Sequence, residues 1–418
     1  MNLIIRNARI IDPGQPLHNK VTDLKISRGI IERIAEKVEN PDRYDELQLE
    51  NLHVSAGWFD SSVSFGEPGF EDRETISNGL ETAAKSGFTS VALQPNTSPV
   101  TDSQSQVSFL KNKANNTAVD IFPIGALTKK SEGNDLAELF DMKKAGAVAF
   151  GDYNKNMQNP NLLKIALQYA ADFDALVIAY SHDSDIVANG VVNEGAVSTR
   201  LGLKGIPALA EELAIARNLF ILKYTGGKLH LPTVSTMGSV KLIRDAKSEG
   251  LNVTCSVSVH HLVLTDEELE GFDTRYKVTP PLRTEIDRQA LIDAVKDGTI
   301  DMITSDHNPI DIENKKIEFD GAKHGTIGLE SAFGALLSVL PLDIVIEKLT
   351  SGRKIFGTNK QIISEGNAAG LTFFNPDVAY TFSKADILSR SKNSAFIGKE
   401  MVGKAYGVYN NGILALRK

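Results

Sequence analysis

The residues able to do chemistry fall at the ends of short apolar runs. Asp60, Ser62 and Ser64 close the first run and Asn96 follows the second. Asp152 closes the fourth, and His182 with Asp183 the fifth. His230 and Thr233 flank the end of the sixth, His260 and His261 end the seventh, and Asp306 and His307 the eighth. Carboxylates and imidazoles gathered on one rim are the raw material of a divalent-metal site or an acid–base pair. Each also has a plainer use. An aspartate at a strand end caps the next helix, and a solitary histidine is commonly a packed, hydrogen-bonded one. Side chains alternate along a strand, so His260 and His261 are expected on opposite faces, with one toward the centre. The same alternation sets His230, three residues before Thr233, on the face opposite to it, and turns His307 away from Asp306.

The elements that must position these residues repeat regularly. The runs are WFDSSVSF, FTSVALQPN, VDIFPIGAL, GAVAFGD, ALVIAYSHD, KLHLPTVS, NVTCSVSVHH and IDMITSDHNP. Each is followed by a polar loop and a segment of helical periodicity, such as ISNGLETAAKSG or SVKLIRDAKSEG, with a glycine as stop signal. Eight βα units in succession predict a closed parallel (β/α)8 barrel, over residues 56–355, with its chemistry at the C-terminal ends of the strands. Residues 1–55 and 356–418 consist of short branched runs separated by Gly, Pro and Asn. Neither segment is large enough to build a core alone, so they are expected to form one small β domain from both termini.

Composition narrows the function classes. With 418 residues, 42% hydrophobic and 23% charged, the chain has material for a large core. A formal net charge of −8 disfavours nucleic acid as a partner. Cys255 is the only cysteine, so no internal disulfide forms, which fits a reducing, cytoplasmic setting. Asn2, Arg6, Asn7 and Arg9 interrupt the first apolar run, which reads as a strand rather than a leader. No apolar stretch is long enough for a membrane helix.

Eight collinear blocks resemble the metal-dependent amidohydrolases, and within them the dihydroorotases associated with aspartate transcarbamoylase. They are GWFDSSVSFGEPGFEDRET, QPNTSPVTD, GAVAFGD, VNEGAVSTRLGLKGIPALAEELAIAR, VSVHHLVLTDEEL, KVTPPLR, DMITSDHNPI and GTIGLESAFGALLSVL. The resemblance implies hydrolysis of a cyclic amide, or its reverse, in pyrimidine biosynthesis, on one or two divalent metals that are zinc in active relatives. In that family an HxH pair after strand 1, histidines after strands 5 and 6, and aspartates after strands 4 and 8 hold the metals. The strand-8 aspartate is also the general base.

Carried over position by position, the pattern is broken. The HxH pair falls on Ser62 and Ser64, and the strand-6 histidine on Thr233. Asp152, His182 and Asp306 keep the family residue type. The arginine that binds substrate carboxylate falls on Gly66, a substrate-binding asparagine on Thr279, and a histidine beyond strand 8 on Ile310, while Asn96 survives. Hydroxyls are poor zinc ligands beside imidazole. The residues that remain imply no metal, or at most one weakly bound divalent ion on Asp152, His182 and Asp306. Left without metals, Asp152 and Asp306 are expected to need a cation, a hydrogen bond or a proton. Restoring catalysis is expected to need Ser62→His, Ser64→His, Thr233→His and Gly66→Arg together.

The reading is therefore of a dihydroorotase-like chain with a degenerate metal site and little or no catalysis. Its expected role is structural or regulatory, alongside aspartate transcarbamoylase or an active paralogue, as a homo-oligomer. Two alternatives stand beside it: a single-metal cyclic-amide hydrolase using Asp306 as base, and a small-molecule sensor using the rim.

Overall fold

Eight of the short branched runs become the strands of one parallel sheet. They are β1 (Trp58–Val63), β2 (Phe88–Leu93), β3 (Asp120–Gly125), β4 (Ala149–Phe150), β5 (Leu176–Ile178), β6 (Lys228–Leu231), β7 (Val253–Ser258) and β8 (Met302–Thr304). The structure, a computed structural model, describes residues 1–359 and 361–417. Each strand pairs in parallel with its neighbour in the chain. The seam between β8 and β1 is closed by a parallel bridge of Val63 with His307. There the Ser64 N–H donates to the His307 carbonyl at 2.8 Å. Asp60 reinforces this seam from a fully buried position. Its carboxylate accepts from Thr304 Oγ1 at 2.5 Å and from the Ser305 N–H at 2.9 Å. The architecture is a (β/α)8 barrel.

A helix follows each strand: α1 (Ile76–Lys85), α2 (Gln104–Lys113), α3 (Leu139–Ala145), α4 (Pro160–Ala171), α5 (Leu209–Thr225), α6 (Met237–Ser248), α7 (Glu285–Lys296) and α8 (Leu342–Thr350). Thr75, Asn159, Thr236 and Thr284 start four of them by accepting a hydrogen bond from a backbone N–H two or three residues on. Each such cap contributes about 1 kcal/mol. Inside the barrel, Phe59, Ala92, Ile124, Ala149, Ile178 and Met302 from alternate strand positions meet Phe356 in one apolar layer. That plug fixes the strand directions on which the rim above depends.

Strands from both ends of the chain form a second sheet. Leu371–Thr381 pairs antiparallel with His53–Ala56, which lies beside Leu3–Ile10. Glu400–Asn410 and Ile413–Leu416 extend one side, and Val21–Ser27 and Ile30–Ala35 the other. Trp58, wholly buried, joins this sheet to the barrel. Its ring packs on Phe88, Phe333 and Phe374 while Nε1 donates to Ser55 Oγ at 2.9 Å. Among the described residues no helix is long and apolar enough to cross a membrane.

The placement of His260 and His261 on opposite faces of a strand is corrected. β7 ends at Ser258, and both histidines lie on one helical turn, Val259–Val263. Both are buried, with ring centroids 4.6 Å apart. His261 is tied down on both sides, with Nε2–H donating to the Pro281 carbonyl at 3.1 Å and Nδ1 accepting from Ser258 Oγ at 2.6 Å. A short apolar run such as VHHLV fits a strand or a helical turn equally well, and periodicity alone does not separate them.

Candidate functional site

At the rim, side chains at and beyond the ends of β1, β2, β5 and β8 cluster in three hydrogen-bonded groups. Ser62 Oγ donates to Asp306 Oδ1 at 3.0 Å and is itself approached by Gln94 Nε2 at 3.2 Å. Ser64 Oγ and the Asn96 side-chain amide are paired, with Nδ2 donating at 2.8 Å. Tyr180 Oη bridges Thr279 Oγ1 at 2.9 Å and His182 Nδ1 at 3.3 Å. Ser62, Ser64, His182, Thr233 and Asp306 are all buried.

Asp306 is the electrostatic centre of the cluster. Burial raises its carboxyl to about 7, with the nearby Asp60 adding to the rise and the Ser62 hydroxyl opposing it. Its backbone is held at φ 48°, beyond the strand proper. The phenol of Tyr153 lies close enough to Asp306 and Tyr180 to feel both, and burial pushes it well above its ordinary value. Tyr153 had not been singled out in the sequence, because Asp152 beside it has the family residue type.

Asp152 itself is turned elsewhere. Its two carboxylate oxygens accept from the Thr128 N–H at 3.0 Å and Thr128 Oγ1 at 2.6 Å. Burial raises it too, and the Thr128 hydrogen bonds work against that rise. Asp152 thus fastens the loop after β3 to the end of β4. Hydrogen bonds alone satisfy it, whereas Asp306 relies on one hydroxyl and a readily held proton.

The histidines separate in the same way. His182, pushed down to about 3 chiefly by burial, is a neutral imidazole whose Nε2 is buried without a partner. His230 sits below the rim. Its ring nitrogens meet Thr254 Oγ1 at 2.9 Å and Ser256 Oγ at 3.2 Å, and its edge packs on Phe356 of the interior layer. Thr233 lies past the end of β6 at φ 48°, so strand alternation counted from His230 does not set its direction. The His307 ring faces the turn after it, where Nδ1 accepts from the Gly328 and Leu329 N–H groups at 3.3 and 3.4 Å.

This donor set does not fit a divalent-metal centre. Among the described residues no group of three or more His, Cys, Asp or Glu is placed to hold a metal ion. Asp152, His182 and Asp306 are not brought together as a ligand triad. The hydroxyls of Ser62 and Ser64 are engaged with Asp306 and Asn96. What the arrangement offers is neutral hydrogen bonding, one carboxyl poised near neutrality, and an unpartnered imidazole nitrogen.

The positions onto which the family's substrate-binding arginine and histidine fall are equally closed. Gly66 donates to the Glu74 carbonyl at 3.0 Å and accepts from the Phe70 N–H at 2.7 Å, so the loop folds tightly over it. A Cβ at this position would lie 1.8 Å from the Phe70 carbonyl oxygen. Gly66→Arg therefore has no room, which corrects the expectation that it belongs among the restoring substitutions. Gly66→Ala is expected to lower stability by about 2 kcal/mol, since the loop must shift to admit one methyl. Urea unfolding checks this, and an unchanged midpoint would mean that the loop yields freely. Ile310 is buried, its N–H held by Asn393 Oδ1 at 3.2 Å.

Arg283, within the KVTPPLR block, was given no role in the sequence. It lies buried beneath the rim, donating to Asn193 Oδ1 and to the Ile206 carbonyl at 2.9 Å each, and stands 4.0 Å from Glu211. Its charge also helps to keep His182 neutral.

Comparison with known proteins places this geometry. The dihydro-orotase-like family model matches residues 53–239. The chain is 39% identical over 412 residues to a dihydroorotase of Geobacter metallireducens, covering 97% of each chain. It is 40% identical over 425 residues to one of Pelotomaculum thermopropionicum, covering 100% of this chain and 99% of the other. Among solved structures, the L-hydantoinase of Arthrobacter aurescens superposes with a TM-score of 0.87 at 22% identity, covering 100% of this chain and 96% of that one. The dihydropyrimidinase of Brevibacillus agri does so at 0.84 and 21%, covering 100% and 95%. At such identity these two likenesses speak for the fold alone.

Proposed function

The chain belongs to the dihydroorotase-like family, and we propose that within pyrimidine biosynthesis it is a member without catalysis. The observation that carries this reading is the Ser62–Asp306 hydrogen bond at 3.0 Å. The residue in the general-base position is satisfied by a neutral hydroxyl where the family pattern has an imidazole. Its role is then structural or regulatory, as a companion of aspartate transcarbamoylase or of an active paralogue. Equilibrium dialysis against Zn²⁺ tests the premise. No ion held at micromolar free zinc is the expected result, and two tightly held ions per chain would overturn it.

One observation favours a second reading, a single-metal hydrolase of a cyclic amide. The His182 Nε2 is buried and without a partner, as a ring nitrogen awaiting a ligand would be. One zinc ion per chain, lost in both His182→Ala and Asp306→Asn, would support this reading over the first.

A further inference from the structure

Between the loop after β8 and the connection that joins strands Leu371–Thr381 and Glu400–Asn410 lies a cavity of about 910 Å³. None of Ser62, Ser64, His182 and Asp306 lines it, so it is separate from the rim cluster. Hydrogen bonds hold its walls in place. The Asn393 amide accepts from the Ile310 N–H at 3.2 Å and donates to the Asn308 and Gly325 carbonyls at 3.2 Å each, and Ser391 Oγ donates to the Arg73 carbonyl at 2.8 Å. The space is formed before any ligand enters, so no loop has to be ordered around one.

The lining is basic in a chain of formal net charge −8. Six of its fifteen residues are Lys or Arg and three are Asp or Glu. Of the carboxylates, Asp311 is taken by Arg73 at 3.4 Å, while Asp72 and Glu313 are exposed and unpaired. Against these two stand four lysines with no carboxylate partner among the described residues, Lys315, Lys316, Lys384 and Lys392. Lys315 is the informative one, since it lines the cavity while only 5% exposed. Its Nζ donates to the Thr274 and Lys277 carbonyls at 2.8 and 3.3 Å, which leaves the charge without a counter-ion. Burial, with Lys277 adding and Asp273 opposing, lowers its ammonium to about 7. A buried cation that meets no anion is destabilising, and an anion in the cavity would offset this. The lining also has apolar surface, with Ile310 and Ile312 on one wall and Ile397 on the other.

We propose that this cavity binds a soluble organic phosphate, a phosphomonoester whose apolar body lies on the three isoleucines while the four lysines meet its phosphate. Phosphate is favoured over carboxylate because the free cations are lysines, compact point charges on flexible stems. The planar forks that suit a carboxylate, Arg275 and Arg390, are engaged with Asp273 and the Glu71 carbonyl. A concave site of this size with mixed lining suits a small molecule rather than a polyanion. Such binding does not depend on whether the rim is catalytic.

Isothermal titration calorimetry of the full chain with 1-naphthyl phosphate tests this. A dissociation constant below about 1 mM at low salt is expected. It should be at least about tenfold tighter than for inorganic phosphate or for 1-naphthol, and should weaken as salt is raised. Lys316→Glu with Lys384→Glu changes two exposed lysines that hold nothing else in place. That pair should weaken binding at least about tenfold with circular dichroism unchanged. The same charge change at Lys37→Glu with Lys241→Glu, exposed elsewhere, should leave it within about twofold. Ile312→Ser should weaken 1-naphthyl phosphate by about threefold and leave inorganic phosphate unaffected. Failure of 1-naphthyl phosphate to bind overturns the proposal, as does binding that both charge-reversed pairs weaken alike. Equal affinity for 1-naphthol or for inorganic phosphate does so too. Capture of the chain by phosphatidylglycerol vesicles through Lys316 and Lys384 would overturn it in favour of a lipid headgroup.

Discussion

Purified free of contaminating enzyme, the chain is expected to interconvert dihydroorotate and carbamoyl-aspartate at least ~10⁴-fold more slowly than a metal-loaded relative. Three separate features of the rim point the same way. Metal-assisted hydrolysis of an amide depends on a bound water acidified to near neutrality, and Ser62, Ser64 and Thr233 offer hydroxyls that stay neutral at that pH. Two of these are already committed, Ser62 to Asp306 and Ser64 to Asn96. Substrate positioning is expected to be lost as well. The carboxylate-binding arginine has no place at position 66, and Thr279 is engaged with Tyr180. On this reading Asp306 would be a base with nothing activated to act on, so Asp306→Asn should leave any residual rate unchanged. Metal-dependent turnover abolished by that substitution would remove the non-catalytic reading and install the single-metal hydrolase.

The triple variant Ser62→His, Ser64→His, Thr233→His extends the same argument. It should gain zinc affinity without gaining matching turnover, since residues that act as a unit do not restore function piecemeal. Position 66 would still lack the arginine that the family pattern places there, with the Phe70 carbonyl 1.8 Å from where its Cβ would stand.

The barrel was legible because its signals are periodic and repeated. Branched strands, helical periodicity and stop glycines recur around the chain, and each agrees with the others. The rim was legible in residue type but not in direction. Asp152 and Tyr153 are adjacent, and which of them faces Asp306 depends on whether the Thr128 loop captures the first carboxylate. No local pattern encodes that contact across 24 residues. Thr233 and Asp306 lie beyond the ends of their strands, both at φ 48°, where alternation ceases to apply. His260 and His261 failed for a related reason, since the strand stops one residue before the turn that carries them. The tightness of the loop at Gly66 was likewise invisible, because a glycine in sequence marks possible backbone freedom but not what approaches it.

Asp306→Asn is expected to stabilise the fold, and to do so more strongly as pH rises. In the folded chain burial raises the Asp306 carboxyl to about 7 from its ordinary 3.8. Below pH 4 the group is protonated in both the folded and unfolded chain and has no influence on the balance. Between pH 4 and 7 the unfolded chain releases the proton while the folded one keeps it, so stability falls as pH rises. Above pH 7 both forms are ionised and the loss is complete. A displacement of about three units corresponds to an upper bound of ~4 kcal/mol, and allowing for relaxation of the rim leaves about 3 kcal/mol. Asparagine keeps an oxygen for the Ser62 hydroxyl and never ionises, so the variant escapes this loss. Its advantage over the native chain should be about 1 kcal/mol at pH 5 and about 3 kcal/mol at pH 8. Comparing the two proteins at each pH cancels the other titrating groups, including Asp60, which burial also raises. Paired urea melts at the two pH values give the result directly. An advantage that is the same at both, or a variant less stable than the native chain at pH 8, would show that the rim holds the Asp306 carboxylate in ionised form, and so that some cationic partner serves it there.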